Sequence, residues 1–235
     1  MFQIYTMTEY EIGEYKQAVR ILPQFSRSPF FKNVPHRIAV VGQSGSGKTK
    51  YMPKICGHLL ADENSELIGF VKDPSDRNYI NIQRYCNEKN IPCNIVDKFD
   101  PLLLESAQDK SKHTVVIFDD VDLNKQEIKQ LEELFSKGRQ DNITSIIVGQ
   151  DFFQRIPKKV RDNLNCVFLF KMSNKRDIKR IADVVSVEDP DRVEMLYNHI
   201  MDNNRLTPLM LYPEAGEQHL KLREGISGIL KKYFT

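Results

Sequence analysis

The sequence predicts an α/β fold of three layers, with a central, mainly parallel sheet and helices on both of its faces. Three observations predict it. Short, almost continuous apolar runs recur along the chain, such as "HRIAVVG", "HTVVIFDD", "ITSIIVG" and "CVFLF". Strands that are apolar on both sides have to be buried on both faces, as strands of a parallel sheet between two helix layers are. The segments between the runs carry helical spacing, and strand–helix alternation of this kind builds a covered sheet. Finally, 235 residues suit one domain with a full core.

The elements follow in order. Residues 36–42 read as a buried strand, followed by a helix-like stretch to about Ala61. Pro53 falls inside that helix, where it removes a backbone bond, so a kink or early irregularity is expected. "ELIGFV" (66–71) is the next strand. Residues 75–90 have helical spacing, with Ser75 or Asp76 as the N-cap. Strands follow at 93–97 and 113–120. Residues 125–138 place Ile128, Leu131, Leu134 and Phe135 on one helical face, with Gly138 as the C′ residue. Residues 143–149 and 166–170 are the last core strands. The ends differ in character. Residues 1–35 read as an N-terminal extension with an amphipathic piece and then irregular chain, and 36–200 as the core. Residues 201–235 read as a strand pair around a turn and an apolar tail packed on that core.

Composition excludes several classes. No apolar run approaches the ~20 residues that span a bilayer, so no membrane span is expected, and the acidic N-terminus lacks the order of a signal peptide. A chain that is not secreted is the expectation. The four cysteines form no CxxC pair and the five histidines are scattered, so neither a disulfide framework nor structural zinc is expected. The net charge of +2 implies no polyanion partner by itself. Its distribution says more, because residues 155–180 carry nine Lys or Arg against two Asp. Such a stretch is either a solvated surface or a phosphate-binding face, and Arg155, Lys158, Lys159 and Arg161 are its candidate nucleic-acid contacts.

The strongest motif is "GQSGSGKT", comprising Gly42, Gln43, Ser44, Gly45, Ser46, Gly47, Lys48 and Thr49. It fits G-x-x-x-x-G-K-[ST] between a strand and a helix, the setting of a P-loop. Glycines let successive N–H groups turn toward phosphate oxygens, and the helix N-terminus adds partial positive charge. Lys48 is expected to reach the β- and γ-phosphates and Thr49 to ligate Mg²⁺. A P-loop also needs a carboxylate from a second strand for the metal, and "VVIFDD" supplies one in Asp119. Asp120 beside it is placed to polarise an attacking water; the alternative is a turn or N-cap residue ahead of the helix at 125. Gln150 closes "ITSIIVG" and either senses the γ-phosphate or positions water, or is an ordinary loop residue. Arg139 is either a cation for transferred phosphoryl charge or a favourable charge at a helix C-terminus.

Together, "VVGQSGSGKT", "VVIFDD", "LFSKGRQDNITSIIVGQ" and "IPKKVRDNLN" resemble the viral genome-packaging ATPases of the FtsK–HerA superfamily, which occur in poxvirus-like large DNA viruses, virophages and Polinton-type elements. The resemblance covers about residues 36–170. It implies the P-loop NTPase fold, ATP and Mg²⁺ at 42–49, Asp119 and Asp120 as metal and catalytic acids, and functional roles for Arg139 and Gln150. It further implies a homo-oligomeric ring that drives double-stranded DNA into a preformed capsid, hence contact with capsid proteins and a place in the virion or the host cell interior, nucleus or cytoplasmic virus factory. Gln140 stands where relatives often have His. A nucleoside or nucleotide kinase, a helicase-like P-loop ATPase and a non-catalytic nucleotide-binding protein are the competing readings.

Overall fold

The computed structural model describes residues 35–61, 64–107, 110–187, 189–215, 221–226 and 228–229. The expected amphipathic piece near the N-terminus and the tail beyond Ile229 lie outside these residues.

Among the described residues nine strands form one mixed sheet in the order β3-β2-β4-β5-β1-β6-β7-β8-β9. They are β1 (Arg37–Val41), β2 (Ser65–Val71), β3 (Cys93–Val96), β4 (His113–Asp119), β5 (Ile143–Gly149), β6 (Cys166–Leu169), β7 (Leu209–Leu211), β8 (Leu222–Glu224) and β9 (Gly228–Ile229). The first six run parallel, as the unbroken apolar runs predict. The last three are antiparallel and extend the sheet beyond β6. Where a strand pair packed on the core was expected, the described residues place three strands in the sheet itself.

Helices cover both faces. One face carries α1 (Lys48–Leu59) and α2 (Arg77–Glu88), whose Met52, Ile55, Leu59, Ile82 and Cys86 pack with Ile38, Val40, Val115 and Ile117 of the sheet. On the other face, α4 (Lys125–Lys137), α6 (Lys158–Arg161), α7 (Arg176–Val184) and α8 (Pro190–Asn203) meet Ala39, Val41, Val116, Phe118 and Val167. Alternate residues of one strand thus serve opposite cores, as a period of two requires. Two short helices complete the set, α3 (Pro101–Ser106) and α5 (Phe152–Arg155).

Local rules account for most boundaries. Asp76 caps α2 by accepting from Asn78 N. Asn124 and Glu127 form a capping box at the start of α4, so the N-cap there is not Asp120. Helix α1 runs unbroken through Pro53. Gly138 is not a left-handed C′ residue: its φ of −54° continues the chain into a 3₁₀ turn over Gly138–Asp141. The reversal falls instead on Asn142 at φ 59°, pinned by its Nδ2 donating to Lys112 O at 2.8 Å. Asparagine tolerates that conformation better than most residues. Helix α8 reaches Asn203, past the boundary expected at residue 200.

Candidate nucleotide and metal site

The site is built at the carboxyl ends of β1, β4 and β5, where parallel sheets open their crevice. Strand β5 lies between β1 and β4. Its end therefore stands between the loop that leaves β1 and the acids that end β4. Register fixes the levels, since Val40 and Asp119 both pair with Val148.

The loop Gly42–Gly47 turns sharply into α1. Gly47 occupies the N-cap at φ 98° and Gly45 takes φ 71°, conformations that cost residues with a Cβ far more than glycine. Nothing lies within 4 Å of where a Cβ of Gly45 would stand, so the tip is an open cradle. Ser44 and Gly45 are exposed at that tip and Ser46 is buried, its N donating to Gln43 O at 3.2 Å. Gln43 N is anchored on Lys171 O at 2.7 Å. Lys48 is only 7% exposed. Its Nζ crosses the concavity of the loop, donating to Gly42 O at 2.7 Å and Gln43 O at 3.1 Å. Burial lowers its pKa, and the charges of Asp120 and Asp119 work against that shift.

Asp119 is the last residue of β4 and shares a face with Val115 and Ile117, so its side chain enters the α1–α2 side. There its Oδ2 accepts from Thr49 Oγ1 at 3.5 Å and from the Tyr79 hydroxyl. Burial raises its pKa above the ordinary carboxylate value. The Tyr79 bond is the largest opposing influence, Asp120 adds to the rise, and Lys48 and Thr49 oppose it. Tyr79 is 2% exposed; burial and then the Asp119 charge push its own pKa up, so it stays a donor. Sequence inspection gives Tyr79 no role beyond its place in the helical stretch 75–90 and misses this contact.

Asp120 lies just beyond the strand at φ 50°, exposed, and its Oδ2 accepts from Gln150 Nε2 at 3.3 Å. Lys48, Thr49, Asp119, Asp120 and Gln150 thus converge on one edge. The donor set suits Mg²⁺: a threonine hydroxyl and a carboxylate are hard oxygen ligands on either side of one small gap. Among the described residues no group of three or more His, Cys, Asp or Glu is arranged to hold a metal, and no helix is long and apolar enough to cross a membrane.

Arg139 is not at this edge. It sits in the turn that precedes β5, with Nη1 4.0 Å from Glu214 Oε1. Glu214 also faces Arg37 at 3.8 Å and accepts from Asn165 Nδ2 at 2.9 Å. Burial lowers the Arg37 pKa, Arg139 lowers it further, and Glu214 opposes both. Seven residues of β5 separate this turn from Gln150. At ~3.3 Å per residue the two ends are ~20 Å apart, beyond the reach of an arginine side chain.

The basic stretch is split by the fold. Arg155, Lys158 and Lys159 are exposed on α5 and α6, where Lys158 pairs with Asp162 at 3.1 Å. Arg161 is half-buried, its guanidinium 4.9 Å from the Phe153 ring centre and 5.9 Å from that of Phe152. Arg180 lies 3.9 Å from Phe153 on the same cluster. Lys179 is engaged by Asp191 and Glu194 at 2.6 and 3.1 Å. Lys171, by contrast, belongs to the edge that carries the loop Gly42–Gly47.

The fold has solved counterparts. The genome packaging NTPase B204 of Sulfolobus turreted icosahedral virus 2, in complex with AMP, superposes with a TM-score of 0.54 at 15% identity, over 77% of this chain and 93% of that one. The DNA-packaging ATPase B204 of Sulfolobus turreted icosahedral virus gives 0.53 at 15% identity, over 75% and 92%. These likenesses establish the P-loop NTPase fold. In sequence, the DNA packaging protein OPG160 of vaccinia virus, strain Copenhagen, is 29% identical over 171 residues, covering 68% of this chain and 63% of the relative. The variola virus protein of the same name is 29% identical over 195 residues, covering 78% and 71%. The chain thus spans somewhat less than two thirds of the vaccinia relative's length. The family model described as Poxvirus A32 protein matches residues 23–207, and with most of its length inside that match this chain belongs to the Poxvirus A32 protein family.

Proposed function

We propose that the chain is an ATP-hydrolysing motor that moves double-stranded DNA into a preformed viral capsid, working as a homo-oligomeric ring in the virion or in the infected host cell. The observation that carries it is the Asp120–Gln150 pair, a carboxylate and an amide 3.3 Å apart at the tips of β4 and β5, next to the phosphate loop. Binding a nucleotide needs only one acid for the metal. A second acid, oriented by an amide, suits attack by water. Gly42 to Thr49 would hold the ATP phosphates, with Lys48 exchanging its two loop carbonyls for β- and γ-phosphate oxygens. Thr49 and Asp119 would hold Mg²⁺, which neutralises phosphate charge when bound. Arg139 would act on a neighbouring subunit, because its own site is out of reach. Arg155, Lys158 and Lys159 are the exposed cations that would touch DNA phosphates. The names of the relatives, DNA packaging proteins and genome packaging NTPases, support the same assignment.

A nucleotide kinase is the reading to exclude, since Lys171 beside the phosphate loop would suit a cationic lid. The test is phosphate release from ATP with and without double-stranded DNA. DNA stimulation supports the motor; turnover that requires an added nucleoside or nucleotide acceptor supports the kinase.

A further inference from the structure

We propose that Tyr79 is a positioning residue for Asp119, holding that carboxylate toward Thr49 and so setting the affinity of the site for its divalent metal. The proposal deepens the nucleotide-site assignment above and rests on it.

The geometry is specific. Tyr79 stands in the first turn of α2, fixed by the Asp76 cap, with Asp76 Oδ1 accepting from Asn78 N at 2.7 Å. Its ring packs in the α1–α2 core, a task that phenylalanine would perform equally. The hydroxyl has a separate task, because a buried phenol needs a hydrogen-bond partner. Its partner is Asp119 Oδ2, the same oxygen that Thr49 Oγ1 reaches at 3.5 Å. At 3.5 Å the threonine contact lies at the outer limit of a hydrogen bond. Tyr79 is therefore the stronger restraint on the carboxylate. Asp119 is 8% exposed and ends a strand, and among the described residues the hydroxyls of Tyr79 and Thr49 are its side-chain hydrogen-bond donors. Partners that orient a metal-binding carboxylate typically contribute 10–100-fold to metal affinity.

The test uses the isosteric Tyr79→Phe variant of the full chain. Two quantities are followed as Mg²⁺ is titrated: calorimetric binding of a non-hydrolysable ATP analogue, and phosphate release. Half-saturation in Mg²⁺ should rise about 10-fold or more in both, while kcat at saturating Mg²⁺ stays close to wild type. A purely structural role would lower the melting temperature and leave Mg²⁺ half-saturation alone. A second arm combines Tyr79→Phe with Asp119→Asn. If Tyr79 acts through Asp119, it adds nothing to the Mg²⁺ requirement of the Asp119→Asn protein. Unchanged half-saturation in Tyr79→Phe, or a full additional effect in the double variant, overturns the positioning role and leaves the ATPase assignment standing. A wild-type protein whose analogue binding ignores Mg²⁺ overturns both.

Discussion

Replacing Arg139 by alanine should separate stability from catalysis. The guanidinium is half-exposed and its ion pair among the described residues, to Glu214, is stretched to 4.0 Å. Such a pair is worth ~0–1 kcal/mol, so the variant should fold and melt close to wild type. It should also bind ATP, because the turn that carries Arg139 lies a full strand length, ~20 Å, from Gln150 on the same chain. Hydrolysis should nevertheless fall by ~10³–10⁵-fold, the contribution of an arginine supplied to a transferred phosphoryl group. The two effects are reconciled only if the arginine serves another subunit. Mixing Arg139→Ala with Lys48→Ala chains tests this. In randomly mixed rings about a quarter of interfaces pair an intact P-loop with an intact arginine, because head-to-tail contacts take one half-site from each neighbour. Phosphate release should reappear in the mixture, although each variant alone is nearly silent. The assay requires rings shown to contain both chains and a motor that tolerates some inactive sites. No recovery in such rings would refute action across the interface, and normal turnover by Arg139→Ala alone would remove the residue from catalysis.

The two aspartates should part by role. Asp119→Asn should raise the Mg²⁺ needed for ATP binding, whereas Asp120→Asn, which can still accept from Gln150, should bind ATP normally and lose about 10²–10⁴-fold in turnover; equal losses of ATP affinity would contradict the assignment. Replacing Lys158 and Lys159 by alanine should weaken binding to unrelated DNA sequences alike and reduce the salt slope by about one per lost phosphate contact; an unaltered slope would make them plain surface charges. Arg161→Ala should act mainly on stability, by ~0.5–2 kcal/mol, through its lost contacts with Phe152 and Phe153, seen as a lower melting temperature.

The meeting of the loop Gly42–Gly47 with Asp119, Asp120 and Gln150 was legible because each position follows from a local rule: a loop after an apolar strand, or a polar residue where such a strand stops. Strand parity alone puts Asp119 on the side of Val115 and Ile117, which is the side of Thr49. The cap of α2, for which the structure selects Asp76, was legible as Ser75 or Asp76 for the same reason. Tyr79 was not, since its hydroxyl meets Asp119 only after β2 and β4 pair and lay α2 over the end of β4, a contact across 40 residues. The Glu214 cluster was hidden likewise, because Arg37, Arg139, Asn165 and Glu214 meet only where β1, β5 and β6 begin. Gly138 misled because a glycine after a helix usually marks a left-handed reversal, and here Asn142 takes that part. The basic stretch looked like one surface by charge alone; the aromatic rings of Phe152 and Phe153 draw Arg161 partly out of it, and Asp191 and Glu194 engage Lys179. Helices α7 and α8 went unassigned because no apolar run framed them as the strands framed the others.

The central claim is that ATP turnover at this site moves the protein along DNA. The most direct measurement is displacement of a third strand from a double-stranded DNA track by assembled protein. Displacement should need hydrolysable ATP and Mg²⁺, proceed on tracks of unrelated sequence, and vanish in Lys48→Ala and Asp120→Asn. Assembled protein that hydrolyses ATP in the presence of such tracks yet never displaces the strand would contradict it.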